Sequence, residues 1–204
     1  MKRFQLWCAA VLLPLLAACN INVIPPNDVT ETRIFDLVSP ASIGELPFNV
    51  DVEAFSNECA GRFKMVFREE ANRIEVDEFN RWAMPPAAML TKYLAARFAS
   101  QSGSQGHTEK PEFVLDGSVL NCEMNRSKKQ VNLMVHFFIV EHDNDTFKLT
   151  GTEDYAIPVG DDSADAFAEG MNKAAAQFAD HIAAILKDEL KNRDDAGKAS
   201  PEKK

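Results

Sequence analysis

From residue 32 to 158 apolar side chains recur mainly at every second position, and after residue 163 at every third or fourth, so the chain reads as strands followed by a long helix. Phe48, Val50 and Val52 alternate with polar neighbours, as do Phe63, Met65 and Phe67, and each run predicts a strand with one apolar face. Residues 32–38 and 73–77 are shorter strand candidates. Pro85-Pro86 suits a helix start, and Met89, Leu90, Tyr93, Leu94 and Phe98 keep helical spacing up to the polar break at Gln101. Strands are expected again at 113–124, with Gly117 inside, and at 131–139. In the latter, Met134, Phe138 and Val140 on the second face suggest a central strand covered on both sides. Residues 146–158 complete the set, with Asn144-Asp145 as the turn. A helix of about seven turns then runs through Phe167, Met171, Ala175, Phe178, Ile182 and Leu186, capped from Asp161-Asp162-Ser163. Residues 192–204 hold no large apolar side chain and read as a disordered tail. The expectation is a single α+β domain over residues 32–191, a mainly antiparallel sheet with two helices packed on it.

The first nineteen residues follow a different rule. Lys2 and Arg3 precede an uncharged apolar run, and Leu16-Ala17-Ala18-Cys19 ends it with small residues before a cysteine. This resembles the lipobox of bacterial lipoproteins, which implies a signal peptide at 1–18 and lipidation of Cys19. An ordinary secretory signal or a short membrane anchor is the alternative. Each buried acyl CH₂ contributes about 0.8 kcal/mol, so several chains on one cysteine hold firmly to a bilayer. Residues 19–31, with Pro25-Pro26, form a flexible tether. Asn20 is not the Asp that marks inner-membrane retention in such lipoproteins, so the resemblance implies an outer-membrane anchor facing the periplasm.

Composition removes other classes. The 22 Lys+Arg against 31 Asp+Glu give −9, which repels phosphate backbones and argues against nucleic acid. Outside the leader no apolar run is long enough to span a bilayer. Of the four cysteines, Cys8 falls in the leader and Cys19 takes lipid, leaving Cys59 and Cys122. An oxidising compartment invites a disulfide between them, worth roughly 4 kcal/mol on the chain-entropy model; two separate buried thiols are the alternative. The histidines at 107, 136, 142 and 181 show no metal-ligand spacing, and phosphate-binding, dinucleotide and nucleophile-elbow motifs are missing. No metal, cofactor or catalytic residue is therefore assigned. An enzyme would have to rest on Glu75, Asp77 or Glu78, of which Glu75 and Asp77 would point to one exposed strand face.

Residues 63–68 (FKMVFR), residues 72–86 (NRIEVDEFNRWAMPP) and the leucines at 90 and 94 resemble the ABC-type transport auxiliary lipoprotein family, the PqiC-like lipoproteins. Residues 32–37 and 113–117 resemble that family's flanking strands, while Met84 stands where an acidic residue is usual. The resemblance implies a non-catalytic accessory of phospholipid transport across the envelope, working with an MCE-domain protein and an ABC transporter, and leaves self-association open. An activator of a peptidoglycan synthase or an outer-membrane assembly factor is the alternative function. Trp82, with Arg81 and Phe79 beside it, is the candidate partner contact, since Trp and Arg often dominate interfaces. The competing role for Trp82 is core packing.

Overall fold

A computed structural model of the chain describes residues 31–38, 49–99, 111–141 and 146–199. The expected signal peptide, Cys19, the tether up to residue 30, His107, His142 and the Asn144-Asp145 turn lie outside them.

The described chain is α+β. Its strands are β1 (Arg33–Phe35), β2 (Val50–Val52), β3 (Ser56–Asn57), β4 (Lys64–Glu70), β5 (Arg73–Trp82), β6 (Phe113–Asn125), β7 (Gln130–Glu141) and β8 (Thr146–Pro158). The helices are α1 (Pro86–Phe98) and α2 (Ala164–Ala199). They form one sheet in the order β1-β5-β4-β6-β7-β8, with β2 and β3 pairing along β6 ahead of β4. The long ladders, β6 with β7 and β7 with β8, are antiparallel, as is the β4–β5 hairpin. Short parallel pairings of β1 with β5, and of β2, β3 and β4 with β6, make the sheet mixed.

Both helices cover one face. The alternation along β7 places Val131, Leu133, Val135, Phe137 and Ile139 under them, all buried. Phe178 of α2 meets Phe137 edge-on at 5.8 Å and Phe55 at 6.3 Å, and such ring pairs add about 0.5–1.5 kcal/mol to their burial. The opposite face of β7, expected to be covered, is only half-buried, because both helices lie on the other side. Ser163 caps α2 as expected: its Oγ accepts the N–H of Ala166 at 3.1 Å. Pro86 opens α1, where the missing N–H costs nothing, and Asn57 Oδ1 accepts the N–H of Ala87 at 3.3 Å.

Two elements are longer than periodicity suggested. The helix α2 has 36 residues and continues to Ala199, so residues 192–199 of the expected disordered tail are helical. The strand β5 runs to Trp82 instead of ending near residue 77, which puts the whole Phe79-Asn80-Arg81-Trp82 stretch on the sheet.

Candidate interaction surface

The β4–β5 ladder is interrupted where the candidate contact residues lie. Lys64 pairs with Arg81 and Val66 with Val76, so one residue of β4 faces four of β5, residues 77–80. Backbone groups in such a bulge lose their ladder partners and need others. Asp77 supplies them: its Oδ1 accepts the N–H groups of Phe79 at 2.8 Å and Asn80 at 2.9 Å, and its Oδ2 accepts the Asn80 amide at 2.8 Å. Partial burial works against ionisation of this carboxyl, but hydrogen bonds from Asn80 and Phe79, with Arg126 near by, outweigh it and hold the group below the usual carboxylate range. The bulge leaves Phe79 46% exposed.

The expected contact trio is divided. Trp82 is 2% exposed and packs edge-on against Phe167 at 5.1 Å, so in this conformation it is a core residue. Its N–H donates to the Phe63 carbonyl at 2.6 Å, and the next N–H, of Ala83, donates to the Phe35 carbonyl at 2.7 Å, which fastens β5 between β4 and β1. Arg81 and Phe79 are exposed. Strand alternation accounts for the division of Arg81 from Trp82: neighbours on a strand face opposite ways, and among the described residues only one side of the sheet carries helices.

Other exposed apolar side chains gather around the same edge. Ile34, in register with Arg81, is 71% exposed, as is Val38 just past β1, and Phe63 is 48% exposed. Alternation had placed Phe63 with Met65 and Phe67 on one apolar face; the irregularity after Lys64 breaks that row, and Met65, Val66 and Phe67 are all buried instead. The tight turn before β4 uses Gly61 at φ 83 and Arg62 at φ 53. A Cβ on Gly61 would come within 2.5 Å of Val66 Cγ2 and 2.7 Å of the Lys64 carbonyl oxygen, so glycine is required there. Lys64 pairs with Glu78 at 2.6 Å across the bulge, and Arg81 donates to the Glu78 carbonyl at 3.4 Å.

The carboxylates weighed for catalysis are engaged structurally. Glu75 accepts from Arg126 at 2.8 Å, Arg126 also pairs with Glu69, and its guanidinium lies 4.2 Å over the Phe67 ring. Asp77 ties the bulge and Glu78 binds Lys64. Among the described residues no group of three or more His, Cys, Asp or Glu is placed to hold a metal.

Periodicity missed a buried ion pair. Glu123, 4% exposed on β6, accepts from Arg68 Nε at 2.6 Å and Arg68 Nη2 at 2.7 Å. Burial alone would raise the Glu123 carboxyl, yet Arg68, Asn121 and Asn132 bring it below its usual range. The available signal was a lone Glu within an apolar strand pattern.

Cys59 and Cys122 are both buried free thiols, so the expected bridge is not formed here. Pairing of Asn57 with Val119 brings their segments together. Cys59 Sγ bonds Asn57 Oδ1 at 3.2 Å and Cys122 Sγ contacts Met171 Sδ at 3.6 Å. Burial raises both thiols, Cys122 far more, with Cys59 near by adding to it.

A family model described as ABC-type transport auxiliary lipoprotein component matches residues 58–183, from the end of β3 through most of α2. The chain belongs to this family. No curated protein matches the chain. Among solved structures, the auxiliary lipoprotein is similar to protein XCC0632 from Xanthomonas campestris, with a TM-score of 0.60 and 14% identity over 77% of this chain and 99% of that one. It is equally similar to a crystal structure titled only as an uncharacterized protein, with a TM-score of 0.60 and 15% identity over 76% of this chain and 99% of the other. At such identities the likeness is one of fold. The family thus makes the chain a membrane-anchored lipoprotein that serves a transport system as an auxiliary component.

Proposed function

We propose that this lipoprotein is the outer-membrane-anchored, periplasm-facing accessory of a phospholipid transport system, working without chemistry of its own beside an MCE-domain protein and an ABC transporter. The observation that carries this reading is the family match over residues 58–183, which covers the bulged hairpin and the sheet it joins. The exposed apolar side chains support it further, since a binding accessory needs surface that water does not favour. The lipid anchor at Cys19 keeps the domain within tether length of the membrane, where a lipid-carrying complex ends.

Photo-crosslinking in living cells tests the proposal, with probes at the exposed apolar positions 74, 79, 120 and 149 and captured proteins identified by mass spectrometry. Capture of an MCE-domain protein from any of them supports it. Capture only of a peptidoglycan synthase or an outer-membrane assembly factor overturns the lipid-transport role while keeping the anchored domain.

A further inference from the structure

We propose that the edge formed by β1, the bulge of β5 and the turn before β4 rests on the anionic lipid surface of the membrane that holds the chain's own anchor. The inference rests on the lipoprotein reading and adds an orientation to it. Three observations converge.

Thirteen residues separate Cys19 from Arg33, about 45 Å even when fully extended, so β1 is the first element that the anchor draws to the bilayer. Among the described residues, exposed apolar side chains concentrate at this edge, with Ile34, Phe63 and Phe79 around the Arg81 row. Charge completes the match. On a chain of net charge −9, Arg62 and Arg81 are exposed here; among the described residues Arg81 reaches only a backbone carbonyl, while the carboxylate of Glu78 is taken by Lys64. Apolar rings flanked by guanidinium groups suit the headgroup boundary, where buried apolar area and attraction to anionic lipid add. Seated this way, the opposite edge of the sheet, β8, points away from the bilayer toward the transport partner.

The test uses the full-length lipidated protein in vesicles of phosphatidylethanolamine and phosphatidylglycerol with brominated acyl chains, with no transporter present. An environment-sensitive fluorophore is attached through Phe79→Cys or, at the opposite edge, Leu149→Cys. Emission from position 79 is expected to be quenched several-fold more than from 149. The difference should fall in about 1 M salt, where the Debye length is about 3 Å, and in phosphatidylcholine vesicles. Arg81→Glu should reduce it likewise, with circular dichroism confirming the fold; Phe63→Ser gives a second, uncharged variant. Equal quenching at 79 and 149, or quenching that ignores salt, lipid charge and Arg81→Glu, would overturn the proposal. So would capture of an MCE-domain protein from position 79 in cells, an outcome that leaves the transport role intact.

Discussion

The Trp82 indole meets the Phe167 ring edge-on, with 5.1 Å between centroids, joining the last residue of β5 to the first turn of α2. Phe67 reaches the same ring at 5.6 Å, so Phe167 is the point where hairpin and helix lock. Phe167→Ala should cost about 3–5 kcal/mol through lost burial and the cavity left behind. Of the two tryptophans, Trp7 falls in the expected leader, so in mature protein Trp82 reports this site alone. Chemical denaturation should show the loss, and the emission of the folded variant should shift to the red; unchanged emission would mean that Trp82 does not depend on this packing.

Glu123 and Arg68 tie the outer end of β6 to β4. Glu123→Ala removes both carboxylate bonds of Arg68, which keeps the Ala71 carbonyl and some solvent, and should cost roughly 1.5–3 kcal/mol, whereas replacing both residues by apolar ones should cost less. Because the folded carboxyl titrates below its unfolded value of about 4.3, its contribution is complete above that pH and is lost as pH falls through the lower folded value. Denaturation curves of wild type and Glu123→Gln should therefore converge in acid; a constant gap between them would count against the ion pair as the cause.

Asp77 holds the bulge by accepting two backbone N–H groups. Asp77→Ala should destabilise by about 1 kcal/mol, and its clearest effect should be faster hydrogen exchange at the amides of Phe79 and Asn80. Protection that survives the substitution would show that another group satisfies those amides. In wild type, acid should release them in the same direction, since the depressed carboxyl loses its charge only below its ordinary range.

The buried thiols should be almost unreactive. Burial raises both pKa values, so alkylation of Cys59 and Cys122 in folded protein at neutral pH should be slow. In denaturant without reductant both should react, giving two adducts by mass. No adducts until a reductant is added would demonstrate the Cys59–Cys122 disulfide that an oxidising compartment favours.

Cys19→Ser should abolish incorporation of labelled fatty acid and leave an unprocessed precursor. Mature, lipid-labelled protein from that variant would place the anchor elsewhere.

Much of the architecture was legible in linear pattern because strand and helix periods are local. The alternation at 131–139 marked the buried face of β7, the residues at 167, 171, 175, 178, 182 and 186 marked that of α2, and Ser163 marked its cap. Family membership was legible too, in the stretch from Phe63 through the Trp82-Ala83-Met84-Pro85 junction. What period could not decide is which face of an element finds a partner, because that depends on elements distant in sequence. Both helices chose the same side of the sheet, so Trp82 went into the core and Arg81, its neighbour, to the surface. The bulge at residues 77–80 depends on pairing with β4 and on the Asp77 carboxylate, neither of which the linear pattern shows. Glu123 is tolerated inside only because Arg68, fifty-five positions earlier, arrives beside it. The sequence by itself determined most of the elements and the family; the tertiary structure decided the exposed edge, since burial is a property of neighbours that chain order does not supply.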